Sequence, residues 1–424
     1  MIERVVVAGG GTGGHLFPGM AVVEELRRRN PQVSVLFVGT ERGIEARVLP
    51  ERGEELALLP VRPLKGQGAL RAMVNAVRLP ASAFEAMSVL RRHRPQVVIG
   101  LGGYAAGPVL AAAATMRIPT ALLEQNAHVG LTNRMLSHVV GRAYLTYEET
   151  AALFGDKRAR VVGNPVRRDF VEAAHLANLD PMGAEARAKQ IFVLGGSQGA
   201  RCLNELVPEA LAQANIAKLG IRVLHQTGTA MLKQVATRYQ ELGIDAEVVS
   251  FIDDMARAYG SASLLIARAG ATTLAELCAI GRPSLLIPFP YAAEDHQMKN
   301  AQALAAKGAA VVLAEQGLAA ETLANQIGAL MQDHERRREM ASAARALGRP
   351  DAAAAIVDDL YEWLGFSQEQ HQAASQTAKQ DMDNEGEDGI DTAATRRLGV
   401  RRQPRVRRGR LRVQPVDGLA QIVR

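Results

Sequence analysis

The chain has 424 residues, of which 48% are hydrophobic and 4% aromatic, and it carries a formal net charge of +6. That length accommodates two or three domains with real cores, and no uninterrupted apolar run approaches the ~20 residues of a membrane-spanning helix. The two cysteines, Cys202 and Cys278, stand in unrelated contexts, which excludes a disulfide framework and a cysteine-built metal site.

The opening residues, MIERVVVAGG, enter a strand-like run at once and show none of the regions of a secretory signal. Strands are predicted at Val5–Ala8, Val33–Val38, Val97–Ile99, Thr120–Leu123 and Arg160–Val162, each followed by an amphipathic Ala/Leu/Arg-rich stretch. The pattern restarts after residue 180, with strands at Ile191–Leu194, Arg222–His225, Ala246–Ser250, Leu264–Ala267, Ser284–Pro288 and Ala310–Leu313. Strand and helix in alternation is the grammar of βαβ units on a parallel sheet. Residues 5–15 (VVVAGGGTGGH) and 191–201 (IFVLGGSQGAR) repeat one design, a buried strand, a glycine-rich turn and a helix. Two copies predict an α/β protein of two facing Rossmann-like domains, divided near Gly163–Asp180. Beyond Phe366 the apolar periodicity stops. An acidic run from Asp381 to Asp391 and an arginine cluster from Arg396 to Arg412 follow, so 367–424 reads as a disordered tail.

Four strand-to-helix turns carry the chemistry. In the first, Gly9 to Gly14, glycines let backbone N–H groups approach a phosphate at a helix N-terminus. A dinucleotide-dependent dehydrogenase has such a turn too, but here the second strand runs into Gly39-Thr40, where a ribose-binding acid is expected. His15 follows the turn directly and is a candidate base. The second turn holds Ser197, whose hydroxyl suits a phosphate oxygen. In the third, Arg268 to Glu276, the N–H groups of Ala271 to Thr273 suit a diphosphate, and the Glu276 carboxylate lies one helical turn on, suited to two ribose hydroxyls. The fourth, Pro288 to Asn300, brings Asp295 and Gln297 to sugar hydroxyls.

In this order the four segments resemble the MurG family of N-acetylglucosaminyltransferases. Further matches are Gly102-Gly103-Tyr104, Glu124-Gln125-Asn126 with Thr132-Asn133, Gly163-Asn164-Pro165-Val166-Arg167 and Phe251-Ile252-Asp253-Asp254-Met255, together covering about residues 1–365. The resemblance implies a GT-B fold with the active site between the domains. Residues 1–165 would be the acceptor and membrane-docking domain, 166–350 the UDP-sugar domain, 351–366 a closing helix returning to the first domain, and 367–424 a tail outside the resemblance. It implies inverting transfer of N-acetylglucosamine from UDP-GlcNAc to the C4 hydroxyl of undecaprenyl-pyrophosphoryl-MurNAc-pentapeptide, a step of peptidoglycan synthesis.

The implied UDP-GlcNAc-binding set is Thr12, Gly13, Gly14, Asn126, Arg167, Ser197, Ile252, Ala271, Thr272, Thr273, Leu274, Ala275, Glu276 and Gln297. Within it, Thr12–Gly14 would face the acceptor pyrophosphate, Ile252 uracil, and Arg167, Ser197 and Ala271–Thr273 the donor diphosphate. His15 and, in reserve, Glu124 would be catalytic. Neither metal nor cofactor is expected, and no nucleic acid partner. Residues 62–94, interleaving Leu64, Leu70, Met73 and Phe84 with Lys65, Arg71, Arg91 and Arg92, would dock on the anionic cytoplasmic face of the inner membrane as a peripheral surface. The rival readings are another UDP-sugar enzyme on the same architecture, such as a diacylglycerol glycosyltransferase or a 2-epimerase, and an RNA- or membrane-binding protein acting through the tail.

Overall fold

The computed structural model describes residues 1–61, 82–179, 189–196 and 199–366. The tail and most of the expected membrane-docking segment (62–81) lie outside the described residues, as do Ser197 and Gln198. The first 366 residues build two parallel sheets. The first contains β1 (Arg4–Gly9), β2 (Ser34–Gly39), β3 (Glu55–Leu58), β4 (Val97–Gly102), β5 (Thr120–Glu124), β6 (Arg142–Leu145) and β7 (Ala159–Val161), in the order β3-β2-β1-β4-β5-β6-β7. The second contains β8 (Gln190–Leu194), β9 (Arg222–Gln226), β10 (Ala246–Val249), β11 (Leu264–Ala267), β12 (Ser284–Leu286) and β13 (Ala310–Val312), in the order β10-β9-β8-β11-β12-β13. β3 and β6 were not predicted. Neither β3 (ELAL) nor β6 (RAYL) contains a β-branched residue and each opens on a charged side chain, so neither announces itself as a strand.

Period two explains the layers. In β1, Val5 and Val7 point to one face with the helix Gly13–Arg29, while Val6 and Ala8 point to the other with the helix Gly103–Thr115. Both faces are covered, so the strand is apolar at every inner position. The second sheet repeats this, with Phe192 and Leu194 on one face and Ile191 and Val193 on the other. In both sheets the order reverses beside the first strand of its half, between β1 and β4 and between β8 and β11. The crevice outside such strand ends is where open α/β sheets bind ligands.

The helix Ala352–Trp363 packs on the first sheet's core through Ile356, Val357, Leu360 and Tyr361. Its Asp359 accepts from Arg142 at 3.0 Å, Arg160 at 2.9 Å and Tyr144 at 2.8 Å, and Asp358 pairs with Arg29. The last helix thereby secures the end of the chain's second half to its first. Where the backbone crosses at Gly163, φ is +91° and a side chain would strike Arg349 Cβ at 2.4 Å, so only glycine fits there.

Candidate active site

The turn after β1 is held in an uncommon shape. Gly9, Gly10 and Gly11 all have positive φ (+131°, +138° and +88°). A Cβ at Gly9 would meet Gly102 O at 2.4 Å, so the turns after β1 and β4 interlock. The turn feeds the helix Gly13–Arg29, whose N-cap, Thr12, makes no side-chain cap. The N–H groups of Thr12, Gly13 and Gly14 find no backbone acceptor among the described residues. An uncapped helix start of this kind favours an anion.

His15 lies in the first turn of that helix. Its Nδ1 is 3.0 Å from Gln125 Oε1, and the Gln125 amide is oriented by donating from Nε2 to Leu101 O at 3.1 Å. Gln125 is 1% exposed, so this pairing has no water to exchange with. An amide that donates through nitrogen must accept through oxygen. Nδ1 of His15 therefore carries the hydrogen, and in the neutral ring Nε2 is the acceptor. A Cβ at Gly102 would sit 3.2 Å from the imidazole, which explains a glycine, at φ +94°, on that side.

Glu124 is 2% exposed and fully engaged. One oxygen accepts from Asn126 N at 3.1 Å and Asn126 Nδ2 at 3.3 Å, the other from Gly130 N at 3.2 Å and Asn133 Nδ2 at 2.9 Å. A carboxylate with four donors braces the 126–130 loop. Among the described residues Glu124 thus has all four acceptor positions engaged, while His15 has a hydrogen-bond partner at Nδ1 alone.

The second domain supplies the opposite wall. The helix Ala271–Ile280 begins after Gly270, again without a side-chain cap, so the N–H groups of Ala271, Thr272 and Thr273 find no backbone acceptor among the described residues. Thr272 Oγ1 reaches across to Gly14 O at 3.4 Å. Gly14 O is free because Pro18, four residues on, has no N–H to offer it. Two uncapped helix N-termini, one from each domain, therefore meet at the cleft.

Glu276 sits in the same helix, 6% exposed, and accepts from Tyr259 OH at 3.2 Å and Arg167 Nη2 at 3.4 Å. Burial pushes its carboxyl up to about 7, against the pull of the Arg167 guanidinium. Leu274 packs into the core and its N–H bonds to Gly270 O, so this residue and the half-buried Ala275 serve the helix itself. Gln297 Oε1 accepts from Phe289 N at 3.0 Å and steadies the 289–297 loop. In that loop Glu294 and Asp295 both hold positive φ (+56° and +57°), a costly conformation for these residues. Ile252 is half-buried beside the second core. Asp254 caps the helix Met255–Gly260 by accepting from Arg257 N at 3.1 Å.

Three further residues bridge or organise the cleft without an earlier assignment. Asn300, wholly buried, donates to Asn126 Oδ1 at 3.2 Å and accepts from Ala127 N at 2.8 Å, joining the domains. Gln125 orients His15. Glu45 holds the first turn. Asn300 and Gln125 lay inside segments singled out in the sequence, but only their long-range partners reveal a task. Glu45 looks like an ordinary acid opening a short helix, and its one clue is the pair of flanking glycines, Gly39 and Gly43.

Residues 5–145 match the glycosyltransferase family 28 N-terminal domain and residues 190–356 its C-terminal domain. An Anaeromyxobacter dehalogenans protein described as UDP-N-acetylglucosamine–N-acetylmuramyl-(pentapeptide) pyrophosphoryl-undecaprenol N-acetylglucosamine transferase is 46% identical over 355 residues, 84% of this chain and 91% of its own. A crystal structure of Acinetobacter baumannii MurG is 30% identical with a TM-score of 0.70, covering 85% of this chain and 99% of that one. A UDP-GlcNAc 2-epimerase from Neisseria meningitidis bound to UDP-GlcNAc shares the fold alone, at 13% identity and a TM-score of 0.58 over 85% of this chain and 100% of that one. The chain belongs to glycosyltransferase family 28 and, within it, to the MurG family of N-acetylglucosaminyltransferases.

Proposed function

We propose that the chain transfers N-acetylglucosamine from UDP-GlcNAc to the C4 hydroxyl of the undecaprenyl-pyrophosphoryl-linked MurNAc-pentapeptide, as the names of its relatives state for them. The observation that carries this reading is the meeting of two uncapped helix N-termini across one cleft. The reaction brings two diphosphates together, one in the donor and one in the lipid acceptor, and each N-terminus suits one of them.

The donor diphosphate lies on the N–H groups of Ala271–Thr273, with Arg167 and Ser197 adding to its charge balance and Ile252 meeting the base. Glu276, as carboxylate, accepts both ribose hydroxyls, and Gln297 meets the sugar. The acceptor pyrophosphate lies on Thr12–Gly14. His15 Nε2 takes the proton of the attacking hydroxyl as its oxygen bonds to the anomeric carbon. The anomeric C–O bond to the β-phosphate breaks on the opposite face, and the electron pair leaves on UDP, inverting the centre. Helix N-termini stabilise that departing charge without reorganising. Glu124 and Gln125 position Asn126 and His15. Metal and cofactor have no step in this scheme.

A lipid acceptor requires peripheral access to the cytoplasmic membrane face. Among the described residues no helix is long and apolar enough to cross a membrane. Phe84 is 69% exposed and Met135 70%, with Leu131 one helical turn before Met135 and also exposed. Apolar side chains offered to solvent in this way support docking at the interface.

The test is labelled UDP-GlcNAc supplied with the muramyl lipid, with diacylglycerol, or alone. Label appearing in a disaccharide-bearing lipid only with the muramyl acceptor is the expected result. Glycosylated diacylglycerol, or epimerised UDP-sugar without acceptor, would overturn the reading.

A further inference from the structure

Glu45 is 1% exposed and opens the short helix Glu45–Glu51. Its hydrogen bonds among the described residues come from Gly11 N at 2.7 Å, Thr40 N at 3.0 Å and Thr40 Oγ1 at 3.1 Å. Glycines make the space it occupies. A Cβ at Gly10 would lie 2.5 Å from Oε2, at Gly39 2.4 Å from Cγ, and at Gly43 2.0 Å from Oε2. The glycine-rich turn is therefore moulded around a buried carboxylate from the connection that follows β2.

We propose that Glu45 is a positioning residue for the acceptor: it ties Gly11 down so that the N–H groups of Thr12, Gly13 and Gly14 turn toward the acceptor pyrophosphate. This rests on the assignment of that turn to the acceptor. The chemistry demands a carboxylate and not merely its shape. Gly11 N–H and Thr40 N–H can only donate, and they approach different oxygens. An amide at the same place would aim its own NH2 at one of them, losing a bond and adding a donor–donor clash. Gly11 also spends its N–H on Glu45, so the anion must be met by the three N–H groups that follow it.

The experiment measures KM for the muramyl lipid and for UDP-GlcNAc separately in the full chain, for Glu45→Gln, Gly43→Ala and Thr40→Ala, with UDP binding by calorimetry as a check on the second domain. Gly43→Ala keeps the charge but drives a methyl group into the carboxylate. Thr40→Ala removes only the hydroxyl donor and leaves both N–H groups in place. Glu45→Gln and Gly43→Ala are expected to raise the acceptor KM about tenfold, as loss of one hydrogen bond to a charged group implies, with donor KM and UDP binding within twofold of the parent. Thr40→Ala leaves the bond from Gly11 N to the carboxylate intact, so both KM values should stay within about threefold of the parent. Unchanged acceptor KM in Glu45→Gln and Gly43→Ala, with the protein folded, would overturn the proposal. A parallel rise in both KM values with weakened UDP binding would also overturn it, since Glu45 would then only support the fold. A rise in donor KM alone would instead overturn the assignment of the turn to the acceptor, leaving Glu45 the positioning residue of a donor turn.

Discussion

The two glycine-rich turns stand at the same place in the same sheet order, yet they are held by different means. Both turns tie main chain to a neighbouring strand end, by Gly10 N to Gly102 O at 3.4 Å and by Gly195 N to Gln226 O at 3.2 Å, but the side chain that adds to the tie differs: in the first the buried Glu45 carboxylate accepts from Gly11 N at 2.7 Å, and in the second the Gln226 amide donates to Gly196 O at 3.1 Å. Each neighbourhood also contains a histidine. Among the described residues His15 has a hydrogen-bond partner at Nδ1 alone. His225 is wholly buried, with Nδ1 at 3.0 Å from Tyr239 OH and Nε2 at 3.2 Å from Asn204 Oδ1, and burial pulls its pKa down to about 3. Asn204 Nδ2 donates to Thr227 O at 3.0 Å, so its oxygen accepts from His225 and the whole chain of bonds is directed toward the second turn. One topology thus yields two turns, the first braced by a buried carboxylate and the second by a neutral amide beside a neutral histidine network.

The sharpest way to break that contrast is to remove each histidine. His15→Ala should lower kcat about 10²–10⁴-fold, the usual worth of a general base, with UDP binding intact by calorimetry. His225→Leu should leave kcat within severalfold but cost about 1–3 kcal/mol of stability in denaturant unfolding, because Tyr239 OH and Asn204 lose their partner. Equal losses of turnover in the two variants would erase the distinction.

Next in size is Glu276. Glu276→Gln should raise the UDP-GlcNAc KM about 10- to 100-fold, from loss of charge-assisted hydrogen bonds to the ribose. Its titration sharpens the assignment. Because burial raises the carboxyl to about 7, the fold favours the protonated form, and that contribution to stability is lost as pH rises through about 7. Donor binding uses the carboxylate, so UDP-GlcNAc affinity should increase from pH 6 to pH 8 in the parent and stay flat in Glu276→Gln. An affinity that decreases over that range in the parent would contradict the role.

Smaller effects are expected from residues acting through others. Gln125→Leu frees the His15 tautomer and should lower kcat about tenfold, leaving both KM values near those of the parent. Asn300→Ala removes the bridge to Asn126 and Ala127 and should lower kcat/KM about fivefold, the worth of roughly one hydrogen bond. An Asn300→Ala enzyme with unaltered steady-state kinetics would show that the bridge has no part in turnover.

The fold was largely legible because its strands are buried on both faces, and such strands print continuous apolar runs such as Val5–Ala8 and Ile191–Leu194. β3 and β6 escaped because both open on a charged side chain and neither contains a β-branched residue. The site was legible where function demands an unusual local sequence, as in Gly9–Gly14 with His15 or Gly270–Glu276. It was illegible where function depends on contacts distant in sequence. Glu45 meets Gly11 across 34 positions and Asn300 meets Asn126 across 174, and no local period encodes either. Pro18 lies between these cases: a proline in the second turn of a helix is visible, but that it frees Gly14 O for Thr272 of the other domain is not.

The most direct test of the account is a crystal of the enzyme soaked in UDP-GlcNAc. The diphosphate is expected against the main-chain N–H groups of Ala271, Thr272 and Thr273, with both ribose hydroxyls on Glu276 and the anomeric carbon turned toward His15. A nucleotide sugar seated on Thr12–Gly14, with the start of the Ala271–Ile280 helix bare, would contradict it.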